Sequence, residues 1–138
     1  MVAFIKARLE EDEAIAETAG GREPQGEWEQ VDPERRPGRV DCDSGYVVTY
    51  DEGSPDEGQA PHIARHDPAR VLREVEAKQR IVDDYRITAT ACRNVTGPEV
   101  DSPGYAAMCA GRDALKSCVT LLAAVWSDHP DYRQEWAA

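Results

Sequence analysis

The sequence predicts an α+β fold with an N-terminal helix, a small antiparallel sheet of two or three strands, a long antiparallel helical hairpin and a short C-terminal helix. Two long segments of the C-terminal half carry apolar residues at alternating spacings of three and four, which is typical of amphipathic helices. Residues 27–50 are divided into short segments rich in Val, Tyr and Trp, which is typical of strands. A length of 138 residues suits a single domain, residues 1–138, with one modest core.

The first helix is predicted over residues 1–21. Apolar side chains at Val2, Ile5, Leu9 and Ala16 recur at helical spacing and form one face. A Gly-Gly pair follows, and glycine readily adopts the left-handed conformation that ends a helix. The helix is therefore expected to bury one stripe and to leave its acidic turn, EEDE, in solvent.

Short strands are predicted within residues 27–50, in the segments WEQV, RVDCD and YVVTY. The intervening segments DPERRPG and DSG have the composition of turns. A sheet of this size is not stable alone in water, so we expect a helix to cover one of its faces. The next residues, 51–61, have the composition of an exposed loop.

Two long helices are predicted over residues 67–94 and 104–126. The segment TGPEVDSPG between them contains two prolines and two glycines, which end the first helix. A connection this short favours antiparallel packing of the two helices. We therefore expect a hairpin whose apolar stripes face each other.

The predicted hairpin would bring two cysteines together, and its second helix carries an additional apolar flank. Of the four cysteines, only Cys92 and Cys109 are placed so that a helical hairpin would bring them together. In a reducing cytosol all four are expected to be free thiols. Leu121 and Val125 give the later helix a second apolar flank, which would either cover the strands or meet another copy of the chain.

The stretch HIARHDPARVLREVEAK, residues 62–78, contains the start of the first long helix. Asp67 is a favoured N-cap residue, and Pro68 suits the first helical position because it has no hydrogen bond to lose there. An Asp-Pro step disfavours a helix running through it. His62 and His66 then precede the helix and need not share a face.

The segment SDHPDYRQEW predicts a short helix over residues 129–137. Asp128 or His129 is the expected cap, and Pro130 follows in the same helix start. Tyr132 is expected to stack over Trp136, which lies four residues later.

Two interpretations of the three histidines are open. In the first, His62, His66 and His129 converge with Asp67 or Asp128 on a zinc ion. In the second, the imidazoles hydrogen-bond to loop carbonyls and connect helix ends. We favour the second, so no cofactor is expected. The alternative is a small zinc-binding domain or a metal-dependent enzyme that uses these three histidines.

The formal charge of −11 is concentrated in the N-terminal half of the chain. Residues 1–61 contain 16 Asp or Glu and 6 Lys or Arg, a net of −10, whereas residues 62–138 contain 11 and 10, a net of −1. Such a surface repels nucleic-acid backbones, so direct binding to DNA or RNA is disfavoured. It suits a basic protein partner, with mimicry of DNA as one form of that role; a solvated surface without a partner is the simplest alternative.

The sequence contains no Gly-rich phosphate loop, no G-x-S-x-G motif and no Cys next to a His. We therefore assign no catalytic residue and favour a non-enzymatic role. No apolar run approaches the ~20 residues that span a bilayer, and the N-terminus becomes acidic too early for a secretory signal. We expect a cytoplasmic protein with a protein partner, no membrane contact, and self-association through the helix over 104–126 as a further option.

Three segments, FIKARLEEDE, HIARHDPARVLREVEAK and LLAAVWSDHPDYRQEW, resemble a family of short acidic proteins from actinobacteria and their phages, catalogued as a domain of unknown function. A looser similarity to accessory proteins of temperate phages runs through Trp28 and through residues 63–72. The chain has Gly26-Glu27-Trp28 where many relatives have Gly-Pro-Trp. The resemblance implies a phage-linked or prophage-linked accessory role, and it assigns no catalytic residues.

Overall fold

The computed structural model describes residues 1–20, 26–50 and 58–137, and the predicted α+β class is confirmed. The helices are α1 (Val2–Gly20), α2 (Gln59–Arg65), α3 (Pro68–Asn94) and α4 (Pro103–Ala124), with 3-10 helices at Gly97–Asp101 and Gln134–Trp136. The strands are β1 (Trp28–Gln30), β2 (Val40–Cys42) and β3 (Val47–Thr49). Within these described ranges, no helix is both long enough and apolar enough to cross a membrane.

The chain forms two compact units, and the boundary between them falls within α1 and within α3. The first unit contains Met1–Glu10 and Glu76–Ala138, and the second contains Glu11–Val75. In the first unit the buried apolar side chains are Ile5, Leu9, Val82, Ala89, Cys92, Val119 and Ala123. In the second they are Ala16, Val40, Ala60, Ala69 and Val75.

The first unit contains the predicted hairpin of α3 and α4. Cys92, near the end of α3, has its Sγ atom 3.8 Å from the Sγ atom of Cys109, near the start of α4. The same number of residues further from the connection, Val82 and Val119 are both fully buried. The Cys92–Cys109 contact brings the end of α3 next to the start of α4, as the predicted hairpin requires. Lys6 of α1 joins this unit through an ion pair of 2.9 Å with Asp83 of α3.

The second unit contains an antiparallel sheet in the order β1-β2-β3. Trp28 pairs with Cys42 and Gln30 with Val40, and the pairing of β2 with β3 shifts between Val40 and Asp41. The helix that packs against β1 and β2 is α2, which buries Ala60 completely. A helix therefore covers the sheet, as expected, but the helix that does so, α2, was itself not predicted.

The loop predicted over residues 51–61 is in part helical, because α2 begins at Gln59. Residues 51–57 lie outside the described residues, and residues 59–61 are helical. Pro61 is compatible with this helix because it lies in the first turn, where amides have no intrahelical partner. Composition alone indicated a loop because this segment is rich in Gly, Pro and acidic residues.

The C-terminal segment is less helical than predicted. Helix α4 ends at Ala124, and the amides of Val125, Trp126 and Ser127 each bond to the carbonyl three residues earlier, a 3-10 pattern. The predicted α-helix over 129–137 is a single 3-10 turn at Gln134–Trp136, preceded by Arg133 without a side-chain cap bond. Neither Asp128 nor His129 caps this turn, so no residue nucleates a longer helix.

Gly26 is held in a position that no other residue fits. Its φ angle is +55°, and an added Cβ atom would lie 3.0 Å from the Cβ of Pro68 and 3.2 Å from the Cα of Gly20. Its carbonyl accepts a hydrogen bond from the amide of Ala69 at 3.3 Å. Gly26 therefore allows the backbone before β1 to approach the start of α3 closely.

We predict that Gly26→Ala destabilises the protein more than Gly45→Ala does. Gly45 also has a positive φ angle, +82°, but an added Cβ would meet nothing within 4 Å. Both changes should cost ~1–2 kcal/mol for the left-handed backbone, and Gly26→Ala about 1 kcal/mol more for overpacking against Pro68. Urea unfolding of the two variants measures the difference. Equal losses would contradict the close contact.

Candidate functional site

Asp67 and Pro68 lie at the start of α3, as the sequence predicts. The Oδ1 atom of Asp67 accepts a hydrogen bond from the amide of Arg70 at 2.6 Å, which is the geometry of an N-cap. The Oδ2 atom accepts from the amide of Trp28 at 3.4 Å. Pro68 is buried at the first helical position. One carboxylate thus caps α3 and also contacts the first residue of β1.

His62 and His66 share a face, a point that the Asp-Pro step in the sequence left open. His62 lies in α2 and His66 is its C-cap residue, so the two rings stack with centroids 4.2 Å apart. The helix break does fall before Asp67, but a complete short helix precedes it. His62 is therefore four residues before His66 on one helix face.

The hydrogen bonding of His66 determines which of its ring nitrogens is available. Its Nδ1 atom lies 3.0 Å from the carbonyl oxygen of His62. A carbonyl only accepts, so Nδ1 carries the proton, and in the neutral ring Nε2 keeps its lone pair. Both rings belong to exposed residues. The pair thus offers solvent at least one imidazole nitrogen that can act as a ligand or acceptor.

His129 is surrounded by other groups of the first unit. The guanidinium of Arg8 contacts its Nε2 atom, and its Nδ1 atom accepts a hydrogen bond from the amide of Asp131 at 3.1 Å. The ring of Phe4 packs edge-on at 5.6 Å. His129 therefore connects the C-terminal segment to α1, through a guanidinium and an amide rather than through the loop carbonyls of the favoured interpretation.

An open groove lies between α1 and the C-terminal segment of the first unit. Its volume is about 720 Å³, and its lining includes Phe4, Tyr132 and Trp136. Tyr132 and Trp136 are in contact at 5.8 Å, but they meet edge to face rather than stacked as expected, and Phe4 packs 5.2 Å from Trp136. Phe4 is not part of the apolar face predicted for its helix, because the aromatic residues that it contacts are more than 120 positions away.

Cys92 and Cys109 are the cysteines that the hairpin brings together, and both are free thiols. Burial raises the pKa of the Cys92 thiol, and its hydrogen bond with Cys109 raises it further. The contact with Cys109 also raises the pKa of Tyr105. A thiol with a raised pKa is a weak nucleophile near neutral pH, so Cys92 does not have the electrostatics of a reactive cysteine.

The N-terminal half presents many acidic side chains to solvent. Those of the described residues that are exposed include Glu10, Glu11, Glu17, Glu27, Glu29, Asp32, Glu34 and Asp43. Two basic residues of the same half are engaged within the protein, Lys6 with Asp83 and Arg39 with Asp41 at 2.8 Å. Acidic groups therefore dominate the charge that this half shows to solvent.

Leu121 and Val125 are both 61% exposed. This apolar flank of α4 is therefore open to solvent. Within the part of the chain that the structure describes, no group of three or more His, Cys, Asp or Glu side chains could hold a metal ion.

A model of a family of unknown function, DUF6221, matches residues 1–138. The chain belongs to the DUF6221 family. Comparison with curated proteins and with solved structures gave no match. The predicted membership of a family of unknown function is confirmed at this level, and the DUF6221 match assigns no activity and no functional residues.

We predict that Asp67→Ala destabilises this DUF6221 protein by about 1 kcal/mol, because the amide of Arg70 loses its cap. Asp67→Asn is the matched control, since an asparagine side chain also caps helices well and should retain most of the stability. Thermal unfolding of both variants tests this. An unchanged melting temperature for Asp67→Ala would show that the cap contributes nothing.

Proposed function

We propose that this protein is a non-enzymatic interaction module that binds a basic protein partner through its acidic N-terminal half. The observation that carries the proposal is the charge division, −10 in residues 1–61 against −1 in residues 62–138. The similarity of its terminal and central segments to proteins of actinobacteria and their phages supports a phage-linked or prophage-linked accessory role in the cytoplasm of such a host.

The second unit provides the surface for this role. Glu27, Glu29 and Glu34 are exposed around the first strand and the turn that follows it. Glu29 lies opposite Asp41 in the sheet, and like charges placed opposite each other are unfavourable. Arg39 binds the Asp41 carboxylate with contacts of 2.8 to 3.1 Å, which offsets this repulsion. Glu29 thereby remains the outward charge at this position.

A surface of this kind attracts Lys and Arg side chains and accelerates encounter with a basic protein. It repels phosphate, so DNA and RNA are not the proposed ligands. A partner that itself binds DNA would meet the acidic half as a mimic of its usual ligand. A basic partner of another kind would use the same electrostatics.

To test the proposal, the protein is used to capture its partner from the lysate of an actinobacterial host. The partner is identified by mass spectrometry, and its binding is then measured with the purified proteins. Binding should fall severalfold as salt rises from about 0.05 to 0.5 M, since ions screen exposed charges. Glu27→Gln/Glu29→Gln/Glu34→Gln should weaken binding. Glu99→Gln/Asp101→Asn/Asp128→Asn removes the same charge from other exposed positions and should not.

Salt-insensitive capture, or equal weakening by the two triple variants, would contradict the proposal. The first result would show that binding does not depend on charge. The second would show that only the total charge matters and that the N-terminal half is not the binding surface.

We further propose that the protein self-associates through α4. The exposed Leu121 and Val125 support this role, because contiguous apolar side chains on a surface helix favour association. Self-association through α4 would leave the acidic side chains of the other unit to act on a different partner.

A second candidate function is zinc binding by His62 and His66, with His129 as a candidate third ligand. The stacked geometry of His62 and His66 favours it, because side chains at i and i+4 on a helix can bind one metal ion. His129 contributes less in the observed arrangement, since Arg8 and the amide of Asp131 face its two ring nitrogens.

Zinc content of protein purified without chelator tests this candidate. Stoichiometric zinc that is lost in His62→Ala/His66→Ala would favour a metal-binding domain over the interaction module. His129→Ala is the control: loss of zinc in this variant as well would identify a third ligand. Wild-type protein without zinc, also after addition of equimolar zinc, would rule the candidate out.

A further inference from the structure

Helix α4 has an exposed face that carries no charged residue. Eight residues at helical spacing make up this α4 face: Ala107, Ala110, Gly111, Ala114, Ser117, Cys118, Leu121 and Val125. All eight are exposed. Charged residues make up 31% of the chain, and exposed helix faces normally carry many of them. An uncharged face along a whole helix therefore needs an explanation other than solvation.

Residue size changes along the α4 face from one end to the other. The N-terminal part contains Ala107 and Gly111, and the C-terminal part contains Leu121 and Val125. An added Cβ at Gly111 would meet nothing within 4 Å, so open space lies above this residue. Leu121 and Val125, each 61% exposed, project from the other end. Small side chains therefore make up most of the α4 face, and its two large side chains lie at one end.

We propose that a second copy of the chain binds the α4 face with its own α4 antiparallel to the first. In this register Leu121 of one copy packs over Gly111 of the other, and Val125 packs over Ala107. Cys118 lies against Ala114 near the two-fold axis. Each large side chain then meets a small residue of the other copy, and both ends of the pair are equivalent by symmetry.

A parallel pairing of the same faces would not fit in this way. It would place Leu121 against Leu121 and Gly111 against Gly111, so that one end is crowded and the other has a void. Close packing disfavours both defects. The size gradient of the α4 face therefore selects the antiparallel direction.

Charge identifies the second copy, rather than another protein, as the partner. A basic partner requires acidic groups, and the α4 face has none. An acidic partner requires basic groups, which the face also lacks. Two copies of a chain with a net charge of −11 repel each other wherever their acids meet. An uncharged face is where this repulsion is smallest, and it matches itself.

This inference rests on the proposed self-association through α4, and disulfide trapping tests its specific register. The double variant Ala107→Cys/Val125→Cys, in a Cys118→Ser background, places cysteines at the two ends of the α4 face. Oxidised glutathione, which takes up the two thiol hydrogens and is reduced, should convert this variant to a covalent dimer. The two positions are too far apart to bond within one helix.

The single variants Ala107→Cys and Val125→Cys in the same background are the matched controls, and they retain the remaining native cysteines. In the antiparallel register each new cysteine lies far from its copy in the other chain, so neither variant should form a dimer. Covalent dimers of the single variants would instead indicate the parallel pairing and overturn the proposal.

Sedimentation of the protein without new cysteines separates failure of the register from failure of self-association. Leu121→Lys should weaken the dimer by about tenfold or more, equivalent to ~1.4 kcal/mol. Ile87→Lys, at a position of α3 that is 66% exposed, should leave it unchanged. A monomeric wild type overturns both proposals. A dimer sensitive to Leu121→Lys but not trapped by the double variant overturns the antiparallel register alone.

Discussion

The carboxylate of Asp67 determines how the sheet and the start of α3 are arranged in the second unit. Its two oxygens bond to amides of different elements, Arg70 of α3 and Trp28 of β1. Beside it, the amide of Ala69 donates to the carbonyl of Gly26. A helix start has unpaired amides that need acceptors, and here they are supplied by the cap and by the chain that leads into the sheet. The position of β1 is therefore coupled to the position at which α3 begins.

This coupling explains why the small sheet is stable. Three strands of three residues each do not bury enough apolar surface to be stable alone. The sheet is covered by α2 on β1 and β2 and is connected to the start of α3 through Asp67 and Gly26. The break between α2 and α3 thus contributes to the stability of the sheet, because it allows both α2 and the start of α3 to contact it.

The two proposed binding surfaces use opposite physical means. The proposed acidic surface would attract a basic partner over distances of about a Debye length, ~8–10 Å, and this attraction would depend on salt. The α4 face carries no charge and depends on shape and apolar contact, which salt weakens little. The acidic residues are concentrated in residues 1–61, whereas α4 belongs to the nearly neutral residues 62–138. The chain can therefore carry a strong negative charge without placing it on the helix proposed to bind a second copy.

Local signals in the sequence determined the three long helices and the start of α3. The alternation of apolar residues specified α1, α3 and α4 because burial of a stripe depends on spacing alone, and Asp67-Pro68 specified the start of α3 because capping involves only neighbouring residues. The same reasoning joined Cys92 to Cys109 and Tyr132 to Trp136. It assigned residues 59–61 to a loop, because they follow residues rich in Gly, Pro and acidic side chains and because the burial of Ala60 depends on strands far away in the chain.

Only the tertiary structure decided the environment of the histidines and the conformation of the C-terminal segment. Helix α2 exists because the sheet covers it, and its existence places His62 and His66 on one face. His129 and Tyr132 pack on Phe4, which is distant in sequence, so residues 129–137 follow these contacts and form only a 3-10 turn. The spacing of apolar residues along the chain determines which long helices can form. Short elements with weak local preferences gain most of their stability from packing, so contacts between residues distant in sequence determine where they form.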